Sequence, residues 1–129
     1  MLNDPLADTM SLILNNELIG RSECMIKPVS RIIKDLLRVM RDNEYVGDFT
    51  EIEDSRGNYI ILKLKGNINK CGVIKPRYSV KNNELEKFER RYLPAKDFGI
   101  LFVSTSKGII THYDSKSKKI GGRLLAYCY

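Results

Sequence analysis

The sequence predicts an α+β protein of two lobes. One is an N-terminal α/β lobe over residues 1–66, read as helix-strand-helix plus a β-hairpin. The other is a C-terminal, mostly β lobe over 67–129 with one or two short helices. Three observations lead there. Apolar side chains recur at helical spacing twice before residue 42, on either side of a short apolar run. Two further apolar-rich runs flank the turn-forming Asp54-Ser55-Arg56-Gly57-Asn58. Past Gly66 the apolar residues come in short runs punctuated by glycine, proline and serine. The chain has 129 residues, 43% of them apolar, enough to bury a core and too many for general disorder.

Asp4 followed by Pro5 is a helix start, a capping oxygen before a residue whose φ is already helical. Leu6, Met10, Ile13 and Leu14 then share a face, so a helix is expected from about Asp4 to Leu18, closed by Gly20. Glu23 to Lys27 reads as a strand that stops at Pro28. Ser30 caps a second helix with Ile32, Ile33, Leu36, Leu37 and Met40 on its inner face. Val46–Ile52 and Tyr59–Leu64 form the hairpin. Gly66 and Gly72 bracket a polar, basic junction taken as the lobe boundary.

Val73 to Val80 reads as a strand interrupted by Pro76, with Lys75 and Arg77 on one face as candidate binding cations. Asn83 is expected to cap a helix that turns Leu85, Phe88 and Tyr92 inward and Lys87, Arg90 and Arg91 outward, and that ends at Pro94. The continuous apolar run Gly99–Val103 is the pattern of a strand buried on both faces. Ile109-Ile110 is a second short apolar piece, Thr111 to Lys119 a helical turn, and Arg123 to Tyr129 a final strand.

Charge divides the chain more sharply than its net +6 suggests. Residues 1–54 hold six bases and eleven acids (net −5), whereas residues 55–129 hold sixteen and five (net +11). A strongly basic half is the electrostatic footprint of a polyanion binder. The blander reading, basic residues that merely solubilise, leaves the self-repulsion of that half uncompensated. Asp42 to Asp54 carries six acids and no base, so it is expected to face solvent or a basic neighbour rather than RNA. No stretch approaches the roughly 18 apolar residues of a bilayer span, and the first residues lack the order of a signal peptide. Three cysteines at long spacings make no disulfide framework. The expected setting is cytosolic, without membrane.

Ser104-Thr105-Ser106-Lys107-Gly108 follows the buried strand, so the core fixes its position. Small hydroxyl side chains, one glycine and one lysine suit close approach to the wide, shallow minor groove of an RNA helix. An ordinary turn between strands has a similar composition. Gly121-Gly122-Arg123 is the second candidate: the glycines admit a close backbone approach, and Arg123 can grip a phosphate with two parallel hydrogen bonds. Its plain alternative is a turn with glycines at positive φ. Tyr78, Tyr92, Tyr113, Tyr127 and Tyr129 lie among the basic residues, where a ring can stack on an unpaired base or simply fill the core.

Ser104-x-x-Lys107 matches a serine-nucleophile motif, but its partner strings Ser-Asp-Asn and Lys-Thr-Gly are missing, so a hydrolase is disfavoured. Cys24, Cys71, Cys128 and the single His112 lack the spacing of a zinc site, and no phosphate-cradling Gly-x-x-x-x-Gly-Lys string occurs. No catalytic residue, metal, cofactor or small-molecule substrate is expected.

The whole chain resembles the universal small-subunit ribosomal protein number eight in its archaeal and eukaryotic form. The resemblance rests on Asp4-Pro5-Leu6-Ala7-Asp8, on Gly66-x-Ile68-Asn69-Lys70-Cys71-Gly72-Val73-Ile74-Lys75-Pro76-Arg77, on Leu93-Pro94-Ala95-x-x-Phe98-Gly99 leading to Val103-Ser104-Thr105-Ser106-x-Gly108, and on Gly121-Gly122 before the last strand. It implies a two-lobed protein that binds a helix in the central domain of small-subunit ribosomal RNA early in assembly. Carried over by position, Ser104, Thr105, Ser106 and Gly108 would enter a distorted minor groove with Gly121 and Gly122 beside them. Residues near Asp4, Thr9, Ser30 and Arg31 would touch the RNA backbone. The implied partners are ribosomal RNA and neighbouring small-subunit proteins, with the chain a monomer in the ribosome. The alternative is an interaction module that docks a basic protein through residues 42–54, with RNA incidental.

Overall fold

A computed structural model describes residues 5–27, 30–75, 77–81, 83–95 and 98–129. The expected cap Asp4, the strand stop Pro28 and the interruption Pro76 lie outside the described residues. The chain divides into two units, Met1–Asn69 and Lys70–Tyr129.

In the first unit α1 (Pro5–Ile19) leads through β1 (Glu23–Ile26) to α2 (Arg31–Asp42), then to the hairpin of β2 (Val46–Ile52) and β3 (Tyr59–Leu64). The strands form an antiparallel sheet in the order β1-β3-β2. Its core joins Leu6, Met10 and Ile13 of α1 to Ile33, Leu36, Leu37 and Met40 of α2, over Cys24, Ile26, Ile60 and Leu62 of the sheet. Each such buried side chain contributes about 1.5–3 kcal/mol. Ile33 donates its N–H to Ser30 Oγ at 3.3 Å, the expected cap. Gly20, at φ +86°, ends α1.

One expectation is corrected here. Ile32 is 41% exposed, because the stripe through Ile33, Leu36, Leu37 and Met40 already meets the core and Ile32 lies one step round the helix from it. Conversely, α1 buries the polar Thr9 and Asn16. Both side chains satisfy themselves locally: Thr9 Oγ1 donates to the carbonyl of Pro5 at 2.8 Å, and Asn16 Nδ2 to that of Leu12 at 2.8 Å.

The second unit contains β4 (Cys71–Val73), β5 (Ser79–Val80), α3 (Leu85–Tyr92), β6 (Ile100–Thr105), β7 (Gly108–Thr111), α4 (His112–Lys118) and β8 (Gly122–Cys128). All strands are antiparallel, in the order β4-β8-β6-β7, with β5 also on β8. Ile100 to Val103 are buried throughout, and Leu101 and Val103 join Leu124, Ile74, Val80, Leu85 and Phe88 in one apolar cluster. The expected strand over 73–80 is instead two short strands. Between them Ile74 N–H donates to Leu125 and Leu124 N–H to Tyr78, following a bulge in β8. Lys75 and Arg77 are exposed but stand outside any strand, so the alternation that would place them on one face does not apply. Asn83 is not the cap of α3: that position is Glu84, with no side-chain cap bond.

α3 also buries a residue that its periodicity does not suggest. Glu89 is 5% exposed, accepts a hydrogen bond from Lys116 of α4, and lies 3.6 Å from His112 Nε2. His112 is fully buried and its Nδ1 accepts from the Leu101 N–H at 3.0 Å, so it is a core group. Among the described residues no three His, Cys, Asp or Glu side chains cluster as a metal site, and no helix is long and apolar enough to cross a membrane.

Cys24, Cys71 and Cys128 are buried thiols outside any disulfide, and burial pushes the Cys24 thiol up from its ordinary value. A thiol is nucleophilic only as thiolate. Ellman's reagent at pH 8 is therefore expected to modify none of the three before unfolding and all three in denaturant; rapid native labelling would contradict this packing.

Candidate nucleic-acid interface

β6 and β7 join through a tighter connection than a five-residue loop. Thr105 pairs with Gly108, leaving Ser106 and Lys107 as the turn. Gly108, at φ +113°, takes the left-handed conformation that the bend demands and a β-carbon would strain. Thr105 Oγ1 donates to the Gly108 carbonyl at 2.8 Å and accepts the Lys107 N–H at 3.2 Å. Its hydroxyl braces the turn. Ser106, Lys107 and Gly108 are exposed at the tip, and Ser104 is half-buried behind it. The hydroxyls of Ser104 and Ser106 carry no hydrogen bond among the described residues.

Strand register extends this tip into a row. Ser104 pairs with Arg123 and with Ile109, and Arg123 pairs with Ser79. Directly opposed residues share a face, with β-carbons about 4.5–5.5 Å apart. Ser79, Arg123, Ser104 and Ile109 therefore line up across one face at the hairpin end, the face away from the Leu101–Val103 cluster. Arg123 is exposed, has no carboxylate partner among the described residues, and stands between two serines. Ser79 is the site residue that sequence reading missed. Nothing local marks it; only its pairing with β8 brings it to Arg123.

Gly121 and Gly122 serve this row from within. Neither has positive φ, so the turn explanation fails. A β-carbon on Gly121 would lie 2.6 Å from the Val80 carbonyl oxygen, and one on Gly122 2.2 Å from that of Ser104. The close approach they permit is to their own neighbouring strands.

In the first unit, Ser30 and Arg31 line a cleft of about 720 Å³ between the start of α2 and the β2–β3 turn. Lys27, Lys34, Arg38 and Arg56 line it too, against the acids Asp35 and Glu51. Arg38 pairs with Asp35 at 3.2 Å and Lys34 with Glu51 at 2.5 Å, whereas Lys27, Arg31 and Arg56 have no carboxylate partner among the described residues. An acidic half thus carries a basic cleft, gathered from three segments whose cations are scattered in sequence. Of the other candidates, Thr9 faces the interior of its unit, and Asp4 is outside the described residues.

A family model described as ribosomal protein S8 matches residues 4–129. The chain is also similar to the small ribosomal subunit protein uS8 of Methanococcoides burtonii: the two are 46% identical over 129 residues, 100% of this chain and 99% of that relative.

Two outcomes follow from this geometry. Gly122→Ala forces a backbone contact apart and is expected to lower stability by about 1–3 kcal/mol; an unchanged thermal midpoint would contradict the packing. The Lys34 ammonium, with Asn58, holds the Glu51 carboxyl below its ordinary 4.5. A depressed value means that this ion pair persists through mild acid and is lost only as pH falls through the folded-state value. Carbon-detected NMR titration should place the Glu51 midpoint below 4.5, and a midpoint at or above it would exclude the pair in solution.

Proposed function

The chain belongs to the ribosomal protein S8 family, whose members are structural, rRNA-binding proteins of the small ribosomal subunit and not enzymes, and from that membership we propose a specific role for it. In the cytoplasmic ribosome it binds a helix in the central domain of small-subunit ribosomal RNA, as a monomer, and supports assembly of the subunit. The observation that carries this reading is the Ser79–Arg123–Ser104 row behind the exposed Ser106-Lys107 tip. Arg123 offers parallel donors to phosphate oxygens, and the serine hydroxyls offer donors and acceptors to 2′-hydroxyls and base edges in a shallow groove. Lys75, Arg77 and the Ser30–Arg31 cleft add phosphate contacts. The exposed carboxylates Asp42, Glu44, Asp48, Glu53 and Asp54 repel phosphate, and in this reading they face a basic protein neighbour.

Binding of the full chain to a central-domain rRNA fragment should weaken linearly in log affinity against log salt, as counterion release requires; a flat response would exclude phosphate neutralisation. Ser106→Ala, at an exposed hydroxyl, should leave the fold intact and cost about 1–3 kcal/mol of RNA affinity, and wild-type calorimetry would remove Ser106 from the site. Lys107→Ala should reduce the salt slope by about one and weaken all RNA alike.

A further inference from the structure

We propose that the second unit carries another RNA site, on the face of the sheet opposite Arg123, which takes a single unpaired nucleotide. This rests on the RNA-binding reading above and uses none of its residues. The site is a cavity of about 390 Å³ between Lys70, Arg91 and Tyr92 at the end of α3, Pro94 just beyond it, Tyr127 of β8 and the following Tyr129. Its rings form a near-parallel series: Tyr92 and Tyr127 have centroids 5.7 Å apart at 27°, and Tyr127 and Tyr129 6.3 Å apart at 22°. Tyr127 pairs across strands with Gly72, where a β-carbon would meet the tyrosine hydroxyl at 3.0 Å. Bare backbone at Gly72 therefore lets the ring lie flat against β4.

The electrostatics match one kind of ligand. Arg91 places its guanidinium 5.6 Å from the Tyr78 ring centre and 5.5 Å from that of Tyr92, so π-faces hold it. Among the described residues no acid lines the cavity, and neither Arg91 nor Lys70 has an acidic partner. The hydroxyls of Tyr92, Tyr127 and Tyr129 are without hydrogen bonds among the described residues. Aromatic faces beside two unpaired cations and free hydroxyls suit a base stacked on the rings with its phosphate at Lys70 and Arg91. A duplex hides its base faces in its own stack, so the ligand is an unpaired nucleotide. Tyr127 is opposite Leu101 and Arg123 opposite Ser104, on the two faces of the sheet, so one duplex contact at the hairpin does not occupy both sites.

The test uses the full chain with hexauridylate carrying a central 4-thiouridine, beside the central-domain rRNA fragment. Near-ultraviolet crosslinks should map to the peptides of Tyr92 and Tyr127. Arg91→Gln, at an exposed side chain, and Tyr92→Leu should each weaken hexauridylate binding by about five- to a hundredfold, the range that loss of one base–aromatic stack produces. Both should leave affinity for the rRNA fragment unchanged, while Arg123→Gln does the reverse. Hexauridylate that crosslinks only at Ser104–Gly108, or that binds Arg91→Gln as tightly as the unaltered chain, overturns the second site and leaves the first intact. Failure of the rRNA fragment to bind the unaltered chain overturns the reading of the hairpin row instead.

Discussion

The antiparallel pairing of β6 with β8 is the constraint on which the second unit depends. It sets Val103 opposite Leu124 in the core and, one step further, Ser104 opposite Arg123 at the surface. Burial of Ile100–Val103 against Leu124–Ala126 fixes that register, since a slip of one residue would turn every side chain to the other face. Such a slip would drive the Arg123 guanidinium into an apolar cluster and bring Leu124 to water. The hydrophobic core thus positions an exposed charge. Gly122 completes the arrangement, because only a residue without a β-carbon passes the Ser104 carbonyl at this distance.

Charge acts through its arrangement more than through its total. At the hairpin end one arginine is flanked by hydroxyls. In the first unit, cations from β1's end, α2 and the β2–β3 turn outnumber the two carboxylates of their cleft. Glu51 shows how an acidic strand coexists with this: paired to Lys34 and accepting from Asn58 at 2.9 Å, its charge is consumed inside the cleft's wall. At the end of β8 the cations stand against tyrosine rings. The cations of the three places thus stand in three settings: among hydroxyls, beside paired carboxylates, and against tyrosine rings.

Much of the fold was legible because local pattern and tertiary environment agree. Leu6, Met10 and Ile13 repeat at helical spacing and do face the core, and the unbroken run through Val103 is a strand covered on both sides. The failures have identifiable causes. Nothing in the helical pattern marks Thr9 and Asn16 for burial, yet each bonds to a carbonyl one turn back, which removes the cost of burying it. Glu89 is buried because Lys116 reaches it across 27 residues, a pairing no window can contain. The segment 73–80 breaks because β8 bulges opposite it, a property of the partner strand. For the candidate site, composition identified the tip, while Ser79 and the Lys27–Arg56 cleft exist only through cross-strand register and helix placement.

The most direct measurement is amide chemical-shift mapping of the isotopically labelled chain titrated with central-domain small-subunit rRNA. The account predicts that the largest changes fall on Ser79, Ser104 to Gly108 and Arg123, together, at one end of the five-stranded sheet. Saturable binding that leaves those amides unmoved and perturbs only the exposed acidic face of β2 would contradict it.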